Sequence, residues 1–188
     1  MHFIHAIAPG AKRVFVGIPV DKHSRKCIGK LLKTIKAPQK DIRWVAEGNW
    51  HLTLAFLGDK PISEVENLLR LFAETYQQEV PFQFNLSKLT RFPGPGGRII
   101  ALTGGSTRPM ENLFQNTVEL LQRNKIEFAR KEFRPHITLG RIKKAKQVRT
   151  SFFQQTDIKL DVTKIRFYQS TLTSSGSIYT VLQEAQLN

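Results

Sequence analysis

Two stretches of this chain repeat an arrangement that can move protons at phosphorus: His51-Leu52-Thr53-Leu54 and His136-Ile137-Thr138-Leu139. In each, an imidazole and a hydroxyl alternate with aliphatic side chains. That is the period of a β-strand, with His and Thr on one face and the aliphatic pair turned toward a core. An imidazole and a hydroxyl side by side can hold one phosphate, the hydroxyl donating to a non-bridging oxygen while the imidazole takes or gives a proton. Histidine suits either task because its ordinary pKa of about 6.5 leaves both protonation states populated near neutrality. One copy alone describes an ordinary half-buried strand with a surface histidine. Two copies, if the fold brings them face to face, supply a base and an acid for an in-line displacement that needs no metal.

The flanking residues extend the pattern. Trp50-His51-Leu52-Thr53-Leu54-Ala55-Phe56-Leu57-Gly58 and Phe133-Arg134-Pro135-His136-Ile137-Thr138-Leu139 resemble the signature of the two-histidine (2H) phosphoesterase superfamily. Within it they are most similar to the RNA 2′,3′-cyclic phosphodiesterases, also called 2′-5′ RNA ligases. Arg13-Val14-Phe15-Val16-Gly17-Ile18 resembles that family's opening strand. Ser170-Thr171-Leu172 with Gly176 through Leu182 resembles its closing hairpin, so the likeness covers nearly the whole chain after the first dozen residues.

The resemblance implies a hydrolase without metal or cofactor that opens the 2′,3′-cyclic phosphate of an RNA end, or of a related cyclic nucleotide, to a 2′-phosphate. His136 would activate water and His51 would protonate the leaving 3′ oxygen. Thr53 and Thr138 would hold the non-bridging oxygens, and Arg141 would offset the developing charge. A 2′-5′ RNA ligase would use the same residues in reverse, with a 5′ hydroxyl replacing water. A catalytically silent RNA-binding module would need neither histidine. An ADP-ribose cyclic phosphate would also suit the histidine pair.

Parity raises a question about Arg141. Strict alternation from His136 puts residue 141 on the opposite face, and a bulge permitted by Gly140 would re-aim it. Arg134 has the right parity but is separated from His136 by Pro135, and Arg141 ranks above it on resemblance. Phe56 has core parity and is expected to pack inward, with base stacking the lesser alternative. The basic residues also cluster: Arg123, Lys125, Arg130, Lys131, Arg134, Arg141, Lys143, Lys144, Lys146 and Arg149 are offset only by Glu127 and Glu132. Such a run around His136 is expected to track a nucleic-acid backbone.

Composition sets the frame. The chain has 188 residues, 40% of them hydrophobic, with 12 Gly and 9 Pro, which describes a globular protein large enough to bury a core. Its 29 Lys and Arg against 15 Asp and Glu leave a formal charge of +14, suited to a polyanionic partner. The single Cys27 forms no internal disulfide and suggests a reducing, cytoplasmic home. Phe3 to Ala8 is interrupted by His5 and lacks the basic region of a signal peptide. No stretch approaches the roughly 20 apolar residues of a membrane span. His2 and His5 fall on a chain end and read as part of an extension rather than as metal ligands. Nothing points beyond a monomer.

The elements that would position the histidines can be read in order. A strand over Arg13 to Ile18 leads to a helix capped by Asp21, with Ile28, Leu31, Leu32 and Ile35 inward. A strand at Asp41 to Val45 precedes the first His-x-Thr strand. The box Ser63-x-x-Glu66 announces a helix with Val65, Leu68, Leu69, Phe72 and Tyr76 buried. Strands at Pro81 to Phe92 and Arg98 to Leu102 flank a turn rich in Pro and Gly. A third helix starts at Ser106 or Thr107, with Pro109 early and Met110, Leu113, Phe114, Leu120 and Leu121 inward. Asp157 to Leu187 alternates as strands about a turn at Ser174-Ser175-Gly176. Strand, helix and His-x-Thr strand thus occur twice. The expected fold is α+β and bilobal: two pseudo-symmetric lobes, each an antiparallel sheet with flanking helices, enclosing a cleft. Residues 1–12 form an extension and 13–188 one domain.

Overall fold

The aliphatic side of each His-x-Thr segment is buried, and at that side the two segments meet. A computed structural model describes residues 10–36, 41–129, 132–143, 153–174 and 176–188. Its elements are β1 (Ala11–Pro19), α1 (Lys22–Lys36), β2 (Ile42–Trp44), a 3-10 turn at Glu47–Asn49, β3 (His51–Pro61), α2 (Ile62–Thr75), β4 (Phe82–Phe92), β5 (Ile99–Thr103), α3 (Arg108–Arg123), β6 (His136–Ile142), β7 (Gln154–Val162), β8 (Lys164–Thr173) and β9 (Gly176–Gln186). The sheet order is β7-β4-β5-β6-β3-β1-β8-β9, with β2 paired to β6. All pairings are antiparallel.

At the centre, β3 and β6 share a single residue pair, Leu52 opposite Ile137. Outward from it run β3, β1, β8, β9 on one side and β6, β5, β4, β7 on the other. Each side is an antiparallel lobe, as expected from the repeated strand, helix and motif. α1 packs on β7 of the far lobe, and α3 packs on β3 of the far lobe, so the helices cross between halves. Leu52 and Ile137 are both fully buried within one core cluster. No described helix is long and apolar enough to cross a membrane.

Local signals behave as their chemistry requires, with one exception. Asp21 caps α1, its Oδ1 accepting from the backbone N–H of Ser24 at 2.9 Å. Thr107 precedes α3, with Pro109 in the first turn. The box at Ser63 and Glu66 does not cap: α2 begins one residue earlier at Ile62, after Pro61, and Ser63 lies inside its first turn. Pro61 already fixes an extended approach to the helix, so the hydroxyl is not needed there.

Both motif strands carry a bulge directly after the threonine. On β3, Val16 pairs with Ala55 and Gly17 with Thr53, so Leu54 is the extra residue. On β6, Ile100 pairs with Gly140 and Ala101 with Thr138, so Leu139 is the extra residue. A bulge resets strand parity. The burial follows, with two consecutive buried positions at Leu54-Ala55 and at Leu139-Gly140. Gly140 has a separate task. A Cβ there would come within 2.6 Å of Ile42 Cγ2 and 3.1 Å of Trp44 Cε3, so the missing side chain lets β2 lie against β6. Gly140→Val should therefore cost about 1–3 kcal/mol by overpacking. Denaturant unfolding would measure the loss, and Trp44 should become more solvated in its fluorescence.

Candidate active site

The register at Leu52 and Ile137 sets the geometry of the polar face above it. Antiparallel pairing at that point places His51 across from Thr138 and Thr53 across from His136. The two histidines thus lie on a diagonal across the crossing, on the same polar face as the two threonines. All four line one cleft of about 950 Å³. Neither threonine hydroxyl is engaged by another described residue, so both are open to a ligand.

The histidines are held alike. His51 Nδ1 donates to the carbonyl of Asn49 at 2.7 Å, and His136 Nδ1 donates to the carbonyl of Arg134 at 2.8 Å. A carbonyl only accepts, so both rings carry their proton on Nδ1 when neutral and keep the Nε2 lone pair free. The supports behind these carbonyls are specific. Asn49 Nδ2 donates to the Ser177 carbonyl at 2.7 Å, tying the 3-10 turn to the start of β9. On the other side Pro135 is buried, and Phe133 stacks on Phe114 with centroids 4.4 Å apart.

Aromatic rings enclose both imidazoles. Phe92 stacks on His136 at 3.8 Å. Phe15 lies 4.7 Å from His51, and Tyr179 meets it edge-on at 5.1 Å. Gly17 is required beneath His51, since a Cβ there would approach the Leu52 carbonyl to 2.8 Å. Burial pushes the His51 pKa down to about 4, against the opposing pull of the Asn49 carbonyl, and a charge on His136 lowers it further. His136 is also lowered, first by burial; the Arg134 carbonyl opposes this and the Arg141 charge adds to it. Both shifts favour the neutral ring at pH 7.

The bulge at Leu139 places Arg141 on the same face as His136 and Thr138, so the expectation from strict alternation gives way. The cause is Leu139 rather than Gly140 itself. Phe56 is a correction of the same kind. It was expected to pack inward, yet the bulge at Leu54 turns it out, 46% exposed, into the cleft. Phe56 and Arg141 are equivalent positions of the two motifs, one aromatic and one cationic. Arg134 also lines the cleft, but its guanidinium is committed to Glu132, 3.0 Å from Nε. Of the basic run, Arg123 pairs with Glu119 on α3, while Arg130, Lys131, Lys144, Lys146 and Arg149 lie outside the described residues.

Sequence reasoning did not single out Phe15, Arg43, Phe92 or Tyr179, all of which line the cleft. Their strands were legible, but which strand abuts which motif was not. Among the described residues, no three His, Cys, Asp or Glu side chains gather where a metal ion could be held.

These features can be set beside known proteins. The family model for LigT-like phosphoesterases matches residues 18–101. An RNA 2′,3′-cyclic phosphodiesterase of Thermus thermophilus is 33% identical over 144 residues, covering 73% of this chain and 71% of that protein. The chain belongs to the LigT-like phosphoesterases, within the 2H superfamily. It is an enzyme of the phosphoesterase class. A Thermotoga maritima protein with the same name is 28% identical over 178 residues, covering 93% of this chain and 95% of that protein. The crystal structure of Escherichia coli LigT complexed with ATP superposes with a TM-score of 0.76 at 27% identity, covering 95% of this chain and 99% of that one.

The depressed histidines make this phosphoesterase sensitive to acid in a defined window. A histidine buried neutral takes up its proton more readily in the unfolded chain. The stability it contributes is full above about pH 6.5 and is lost as pH falls toward the folded value of about 4. For His51 the loss is at most about 3 kcal/mol. Stability measured from pH 7 to 4 should fall with a visibly shallower slope in His51→Gln than in the wild type.

Proposed function

We propose that this enzyme hydrolyses 2′,3′-cyclic phosphate ends of RNA to 2′-phosphates by paired histidine acid–base catalysis. The observation that carries the reading is the matched pinning of His51 and His136, which leaves two free Nε2 atoms over one cleft with a threonine beside each. The names of the Thermus and Thermotoga relatives support the same substrate.

In the step proposed, the cyclic phosphate sits between the two motifs with its non-bridging oxygens on Thr53 and Thr138 and its charge facing Arg141. His136 Nε2 takes a proton from water as the water oxygen bonds to phosphorus. The bond from phosphorus to the 3′ oxygen breaks in line, and that oxygen takes the proton of His51 Nε2. The 2′ ester is kept, and the product carries a 3′ hydroxyl. His51 must therefore enter charged and His136 neutral. In the free enzyme burial is the largest force against a proton on either ring, the other imidazole adding to it at His51 and the Arg141 charge at His136, so the acid role of His51 follows the resemblance and needs the charge of the substrate. The monoanionic substrate supplies the charge that draws a proton onto His51.

RNA oligonucleotides with defined 2′,3′-cyclic ends test the reaction. The wild type should yield 2′-phosphate ends, and His51→Ala and His136→Ala should each lose at least about 10²-fold in turnover while remaining folded. The double variant should cost less than the product of the two losses, because the pair acts as a unit. A folded single variant with near-normal turnover would overturn the mechanism.

The pH dependence is a separate check. The base fails at low pH by protonation and the acid fails at high pH by deprotonation. Both free-enzyme values lie below the ordinary histidine range, so kcat/KM should peak on the acid side of neutrality. The kcat profile, which reports the substrate-bound enzyme, should peak at higher pH.

A further inference from the structure

Beyond the cyclic phosphate, the cleft carries a second cation that the reaction does not use. Arg43, at the middle of β2, is directly opposite Arg141 in the antiparallel pairing of β2 with β6. Both side chains are exposed, and both line the cleft. Neither guanidinium has an acidic or hydrogen-bonding partner among the described residues. Two like charges directly opposed across strands are unfavourable unless something of the other sign lies between or beside them.

The alternation of β2 explains why Arg43 points where it does. Ile42 is buried, and Ile42 and Trp44 close over the bare backbone of Gly140, which leaves Arg43 on the opposite, cleft face with Arg141 and Ile99. Ile99, Arg141 and Arg43 form one cross-strand row. Along that row Arg141 is the member whose charge reaches His136, and Arg43 is one strand farther out. Neighbouring strands are about 5 Å apart, a step that two long guanidinium side chains extend to the spacing of successive groups on one ligand.

We infer that Arg43, one strand farther out than Arg141, forms a second anion subsite that takes the phosphodiester on the 5′ side of the terminal nucleotide. This rests on the proposed reaction for the placement of the cyclic phosphate at Arg141. A guanidinium suits the role because its planar fork binds two phosphate oxygens at once. The consequence is selectivity: a strand carrying a charged 5′ linkage binds better than one with the same bases and sugars but no charge there.

The test compares two dinucleotides ending in a 2′-phosphate, one with a phosphodiester linkage and one with a neutral methylphosphonate linkage, binding to the full chain by calorimetry. The wild type should prefer the phosphodiester by about five- to tenfold, and this preference should shrink as salt is raised. Arg43→Gln should bring the ratio close to one. Arg43→Lys, a point charge without the fork, should give an intermediate ratio. Arg141→Gln should weaken both ligands and keep the preference. A wild type that does not distinguish the two linkages, or an Arg43→Gln variant that keeps the full ratio, would remove the subsite. Because the readout is binding, it decides the subsite even if cyclic-phosphate hydrolysis by the wild type were to fail, and that failure would count against the proposed reaction alone.

Discussion

The pairing of Leu52 with Ile137 is the contact on which the rest of this molecule depends. It is one residue pair between two antiparallel lobes, and both side chains are completely buried. Shifting that register by one residue would exchange the faces of the motif strand and send its histidine into the core. The hydrophobic pairing below the sheet therefore fixes the polar constellation above it. The bulges after Thr53 and Thr138 then let each strand return a further side chain to the cleft without disturbing the buried pair.

The two halves of the site are alike in backbone and different in chemistry. Both imidazoles donate Nδ1–H to the carbonyl two residues upstream, which fixes ring orientation and tautomer. Past the bulge, the first motif presents Phe56 and the second presents Arg141. The cleft is lined both by aromatic rings, among them Phe56, Phe128 and Phe133, and by the guanidinium groups of Arg43, Arg134 and Arg141. A nucleotide offers a base to the one and a phosphate to the other. Burial among the enclosing rings also desolvates the histidines and favours their neutral forms.

Much of this is written in local sequence. The His-x-Thr strands, the three helices, the cap at Asp21 and the twofold order of strand, helix and motif follow from periodicity and capping chemistry. What periodicity cannot give is the point where it breaks. Leu54 and Leu139 look like any inward strand residue, and only the partner strand reveals that each is extra. For that reason alternation alone puts Phe56 and Arg141 on the core side, whereas the bulges turn both into the cleft. Arg43 was hidden differently, since a three-residue strand carries too little pattern to show its neighbour. The basic run was legible as charge but not as position. Arg123 spends its charge on Glu119 along a helix, while Arg43, far away in sequence, stands in the cleft.

The pinning of both Nδ1–H groups makes His51 and His136 the same neutral tautomer in the free enzyme, and in the proposed reaction an anion in the cleft charges His51. Nitrogen-15 NMR of the histidine side chains distinguishes the two neutral tautomers from the imidazolium form, and the measurement should be made at pH 7 with and without a nucleoside 2′-phosphate. Two unprotonated Nε2 resonances are expected in the free protein, and an imidazolium signature at His51, with His136 still neutral, in the complex. Protonated Nε2 on either ring of the free enzyme, or a His51 that stays neutral with the ligand bound, would contradict this assignment.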